Sequence, residues 1–159
     1  MNTVTDRAQQ LLQQTPFPRL FITGACHVFA MALRSAFPAY ALVRIKQGKN
    51  DYAHIATCPE CGMLLDAYGW ISYQKYQDEH GEPVEVNVIT ESEVKSYSDF
   101  CWECEFVECV ETEARAWIER HRVVFSGASK GPINGHPRIQ VFGATEAGYR
   151  IVRNNFQTS

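Results

Sequence analysis

The chain has 159 residues, 45% of them hydrophobic and 21% charged, with a net charge of −3. Those values suit one compact domain able to bury a sizeable core. Lys and Arg are scattered rather than clustered, which argues against nucleic acid or an anionic membrane surface as partner.

The opening MNTVTDRAQQLLQQ has neither the basic start nor the apolar centre of an export signal. No apolar run reaches the roughly 18 residues of a membrane-spanning helix. The expected location is the cytoplasm, with export by a specialised route left open. Residues 5–14 read as a short surface helix stopped by Pro16 and Pro18. Residues 19–23 (RLFIT) are a short apolar segment broken by Gly24. Residues 26–37 (CHVFAMALRSAF) are rich in Ala and Leu and apolar on nearly every side. That pattern predicts a helix buried at the centre of the domain and ended by Pro38.

Strand-like runs follow at 40–46 (YALVRIK), 52–57 (YAHIAT) and 63–68 (MLLDAY). The last two are joined by CPECG, and Pro and Gly in so short a joint predict a hairpin. A polar helical stretch is expected over 71–79, then an alternating strand over 84–89 (VEVNVI). Thr90 and Glu93 have capping-box spacing, so a helix should start at Glu91. Residues 100–106 (FCWECEF) alternate apolar and acidic and read as a strand. Residues 107–121 place Val107, Val110, Ala114, Trp117, Ile118 and His121 at helical spacing. The Gly- and Pro-rich tail 127–159 is expected to end in a hairpin of strands 138–142 and 149–153. The whole is read as a single α+β domain, its catalytic core spanning about 19–125.

Three residues combine into a chemistry. Cys26 stands where a loop becomes a helix, and the free N–H groups there lower a thiol's pKa. His54 and Asp66 lie inside apolar strands, where a polar side chain needs a partner. A His54–Asp66 hydrogen bond across neighbouring strands would fix the imidazole and turn it towards the thiol. The two share a face only if the numbers of paired residues sum to an even value, which the turn decides. His27, beside Cys26, is expected on the helix surface; His80, His121 and His136 are expected to be solvated.

The segments GACHVFAMAL, YAHIA and LLDAYG, covering roughly residues 20–70, resemble the core of the papain-like and transglutaminase-like cysteine enzymes. The short spacings are closer to the transglutaminase-like form. The resemblance implies a central helix packed on an antiparallel sheet, with Cys26 as nucleophile on an acyl carbon, His54 as base and Asp66 orienting the base. Peptidase, glutamine deamidase and transamidase outcomes all fit, as does a bacterial effector or toxin that deamidates other proteins. The implied partner is a protein or peptide substrate, and no cofactor is required. The chain departs from these families at Leu20, where papain-type enzymes carry an oxyanion-hole Gln, at Asp66-Ala67 in place of Asp-Pro, and at His27. The backbone N–H of Cys26 supplies a first oxyanion donor and the second is unassigned.

The other cysteines give the rival reading. Cys58, Cys61, Cys101 and Cys104 form two CxxC pairs that could hold a structural zinc in a non-catalytic binding module. Cys101 and Cys104 on a strand would face opposite sides, which opposes joint ligation. A catalytically inactive relative is the third reading.

Overall fold

The structure is a computed structural model that describes residues 25–47, 53–81, 83–101 and 104–133. The helix expected at 5–14, the segment 19–24 and the tail strands at 138–142 and 149–153 lie outside the described residues.

Helix α1 (Cys26–Ala36) forms where the Ala- and Leu-rich run predicts it. Its first turns are buried from Cys26 to Ala30, and again at Ala32 and Leu33. Phe37 closes it through its N–H to Leu33 O, 2.8 Å, just before Pro38. Strands β1 (Ala41–Gln47), β2 (Ala53–Cys58), β3 (Met63–Asp66), β4 (Gly69–Ser72) and β5 (Val84–Val88) form one antiparallel sheet in the order β4-β3-β2-β1-β5. Helix α2 (Tyr73–His80) follows β4 directly. The Ser72 side chain accepts the Lys75 N–H at its start, and Gly81 closes it at φ 68°.

After β5 come α3 (Glu91–Cys101), α4 (Cys104–Arg120) and α5 (Arg122–Phe125). The capping box at the start of α3 is real: Glu93 N–H donates to Thr90 Oγ1 at 3.2 Å, and Thr90 N–H donates to Glu93 Oε1 at 3.4 Å. The strand expected at 100–106 is not formed. Cys101 ends one helix and Cys104 begins the next. The alternating pattern of FCWECEF misled because it contains Glu, a good helix former and a poor strand former, and because the helical face downstream prevails. That face (Val110, Ala114, Trp117, Ile118) is buried against Val28, Phe29 and Leu33 of α1.

The strand expected over 63–68 is divided. β3 stops at Asp66, Ala67 and Tyr68 turn, and β4 returns with Asp66 opposite Gly69. Neither Ala67 nor Tyr68 has a positive φ, so the chain reverses by taking Gly69 to φ 100°, as in a bulge with glycine at the left-handed position.

The sheet has two covered faces. Leu42 and Ile55 pack with Cys26 and Ala30, and Leu65 packs with Phe29, so these residues face α1. Val43, Ile45, Ala56, Leu64 and Ile71 pack with Tyr76 of α2 on the opposite face. Alternation along β2 and β3 therefore sends His54 and Asp66 to the α2 face. Among the described residues, no helix is long and apolar enough to cross a membrane.

The 131–133 segment closes over the β3–β4 turn: Trp70 N–H donates to Gly131 O at 3.1 Å and Ile133 N–H to Tyr68 O at 3.0 Å. A Cβ on Gly69 would stand 2.4 Å from Gly131 O, whereas one on Gly62 (φ 81°) would meet open space. Gly62→Ala should therefore cost about 1 kcal/mol for its left-handed backbone alone, and Gly69→Ala more than ~2 kcal/mol. Urea unfolding of the two variants measures this; equal losses would contradict the close approach of the 131–133 segment.

Candidate active site

Cys26 is the first residue of α1, and no side chain caps that helix end. Its sulfur does not face an open cleft. Cys26 is 5% exposed and packs with Leu42, Ile55, Ile89 and Val94. The sulfur lies beside β2, where the Ile55 N–H donates to it at 3.5 Å. That donor is available because β2 and β3 pair at one position only, Thr57 opposite Leu65. Thr57 Oγ1 reinforces the pair by donating to Leu65 O at 3.1 Å. Beyond it the ladder stops, leaving a gap beside Ile55 where the Cys26 sulfur meets the free N–H.

Across the same gap, His54 Nε2 donates to Asp66 Oδ2 at 3.0 Å. The even register of Thr57 with Leu65 puts the two on one face, which meets the condition set by the sequence. His54 and Asp66 are 4% and 3% exposed. Asp66 is held by its own turn, since Oδ1 accepts the Tyr68 N–H at 3.0 Å. The turn is held by α4, whose Trp117 Nε1–H donates to Ala67 O at 3.0 Å. The Tyr76 ring lies parallel to the imidazole, centroids 6.4 Å apart. With Nε2 committed to Asp66 and no conventional partner at Nδ1, Nδ1 is the nitrogen left for the thiol.

The electrostatics favour an ion pair. Burial opposes a Cys26 thiolate, but the neighbouring His27 and His54 rings outweigh it, bringing the pKa down to about 5. Burial likewise opposes a charged His54. The hydrogen bond to Asp66, the bond to Cys26 and the attraction of both anions reverse this and raise the pKa to about 9. Below about pH 5 the sulfur takes a proton, above about pH 9 the imidazolium loses one, and between them thiolate and imidazolium coexist.

His27 corrects an expectation. It is 4% exposed rather than on the helix surface, and it shares the thiolate with His54. The signal was present in the apolar character of α1 on every side, which leaves no surface for position 27. His121 is also more than solvated: it is partly buried, its ring 4.4 Å from that of Trp117. The side chain of His80, and all of His136, lie outside the described residues.

The CPEC segment forms the β2–β3 turn. Cys58 Sγ accepts from Tyr73 Oη at 3.2 Å and donates to Glu60 O at 3.1 Å, while Cys61 is exposed. Burial, with help from Cys58, pushes the Tyr73 hydroxyl pKa up. Cys101 and Cys104 are on helices, so the objection drawn from strand alternation lapses; their side chains lie outside the described residues. Among the described residues, no three His, Cys, Asp or Glu side chains are grouped to hold a metal ion. No model of a known family matches the chain, and no curated protein or solved structure is found similar to it.

Iodoacetamide alkylation of Cys26, followed by mass spectrometry across pH, should reach half its plateau near pH 5. His54→Ala and His27→Gln should each move that midpoint upward, by roughly one unit or more. A wild-type midpoint in the range of a free thiol, about 8.5, would refute the ion pair.

Proposed function

We propose that the protein is a cysteine-dependent acyl-transfer enzyme of papain-like or transglutaminase-like type, acting on amide groups of a protein or peptide. The observation that carries this reading is the buried convergence of Cys26 at a helix start, His54 and Asp66, with the His54–Asp66 bond at 3.0 Å. A structural core does not need a carboxylate, an imidazole and a thiol gathered in one gap of a sheet, because each must be desolvated to be there.

In the reaction, the Cys26 thiolate attacks the acyl carbon and a tetrahedral oxyanion forms. The His54 imidazolium gives its proton to the leaving amine, and the C–N bond breaks to leave a thioester on Cys26. Neutral His54 then takes a proton from water, or from an incoming amine, as that nucleophile attacks the thioester. The thiolate leaves and the imidazolium is restored. Asp66 stays ionised and holds Nε2 throughout. The uncapped start of α1 directs its backbone N–H groups towards the region where the oxyanion develops. The sulfur is packed in a buried cluster that includes Ile89 and Val94.

The test is a Gln- and Lys-containing peptide mixture incubated with the full chain and read by mass spectrometry for hydrolysis, deamidation and cross-linking, with thioester trapping on Cys26. Cys26→Ala should abolish every product, His54→Ala should lower the rate on the order of 10²–10⁴-fold, and Asp66→Asn should lower it by about 10²-fold or more. Products that persist in Cys26→Ala, or the failure of Cys26 both to be acylated by any peptide and to be alkylated by a peptidyl chloromethyl ketone, would refute the assignment.

A further inference from the structure

Arg44 lies on the α1 face of β1. Leu42, two residues earlier, packs with Cys26, while Val43 and Ile45 pack on the other face with Tyr76. Arg44 is directly opposite Ile55 of β2, the residue whose N–H meets the Cys26 sulfur. Neighbouring strands run about 5 Å apart, so the Arg44 backbone lies one strand spacing from Ile55, whose N–H meets the sulfur. Its Nε is buried and has no hydrogen-bond partner. No described carboxylate makes an ion pair with it.

Lys46 follows on the same face, two residues on, also without an ion pair among the described residues. Glu85 of β5 stands opposite Lys46, but its Oε1 takes the Asn87 amide at 2.9 Å. Asn87 itself is the β5 residue opposite Arg44, so both cross-strand neighbours of Arg44 are uncharged. Among the described residues of a chain with a net charge of −3, two adjacent cations thus stand without an ion pair on the face that carries Cys26. Leaving a buried N–H unmet carries a desolvation cost that a bound acceptor would recover. Arginine also suits the purpose, since its planar fork binds a carboxylate through two parallel hydrogen bonds.

We propose that Arg44, assisted by Lys46, is an anion subsite that binds a carboxylate carried by the acyl donor a short distance from the bond to be cleaved. This rests on the reading of Cys26 as the nucleophile. It narrows the substrate class from any amide to one flanked by an acidic side chain or a C-terminal carboxylate.

The experiment uses a matched pair of alkylating probes, iodoacetyl-glycine and its neutral amide, on the full chain at low ionic strength. In both reactions the sulfur displaces iodide, and only the charge of the probe differs. Cys26 of the wild type should prefer the anionic probe at least about fivefold, and salt should erode the preference. Arg44→Gln should bring the ratio of the two rates close to one; Arg44→Lys should keep part of the preference, and Lys46→Gln should lower it partially. A ratio that Arg44→Gln leaves unchanged overturns the subsite.

A second measurement stands apart from the chemistry. In a ¹⁵N-labelled chain, the Arg44 Nε–H resonance, assigned by its loss in Arg44→Lys, should shift on titration with N-acetyl-glycine and stay still with N-acetyl-glycinamide. Absence of that selective shift overturns the subsite even where Cys26 alkylates freely. A selective shift in a chain whose Cys26 alkylates with neither probe supports the subsite and sinks the enzymatic reading instead.

Discussion

The hydrogen bond between His54 and Asp66 holds together a group of charges that burial would otherwise forbid. Moving one carboxylate or imidazolium out of water costs several kcal/mol even after relaxation. Here three such groups lie within a few per cent of complete burial. They are tolerated as a set: Asp66 accepts from the His54 ring and the Tyr68 N–H, Asp66 and Cys26 raise the pKa of His54, and the sulfur, which accepts the Ile55 N–H, has its pKa lowered by the neighbouring imidazoles. Removing any one exposes the next to an uncompensated desolvation penalty. Much of the surrounding architecture follows from this need. The Asp66 turn is tied down by Trp117 of α4, by the 131–133 segment and by a glycine with no room for a side chain. These fix a carboxylate whose partner tolerates little displacement.

The second constraint is geometric. Cys26 belongs to the helix on one face of the sheet, while His54 and Asp66 alternate to the other. In a continuous sheet the backbone would separate them. β2 and β3 pair at one residue and then part, which leaves an opening in the sheet beside the Cys26 sulfur. The same opening frees the Ile55 N–H for the sulfur. A complete β2–β3 ladder would add a few backbone hydrogen bonds and abolish the site, so the break in pairing is part of the chemistry.

The sequence carried some of this and withheld the rest for identifiable reasons. The buried helix from Cys26, the capping box at Thr90 and Glu93, and the strands around His54 and Asp66 are local patterns of period and end signal. They were legible residue by residue. The face shared by His54 and Asp66 hung on one integer, the register, which the CPECG joint does not encode by its length. The helices at Cys101 and Cys104 were misread because alternation over so few residues does not separate a strand from a helix carrying Glu at regular intervals. His27 was expected on the helix surface, although the all-round apolar helix should have buried it. The opening between β2 and β3 had no local signature, because it is a pairing that fails to occur.

Reactivity and burial have to be reconciled at the Cys26 wall, and the energetics of its members differ. α1 and β2 are anchored in the centre of the core, with Phe29, Leu33, Ile55 and Ala56 almost fully covered, and each such aliphatic or aromatic side chain contributes about 1.5–3 kcal/mol. The beginning of α3 is tied much more lightly. Glu91, Ser92, Glu93, Lys95 and Ser96 are exposed, leaving Val94 as the deep anchor of that turn. The ion pair between Arg34 and Glu91 spans 3.5 Å at the surface, where such contacts are worth about 0–1 kcal/mol. In the proposed reaction, access through the Ile89–Val94 stretch would leave the His54–Asp66 pair and its clamps untouched.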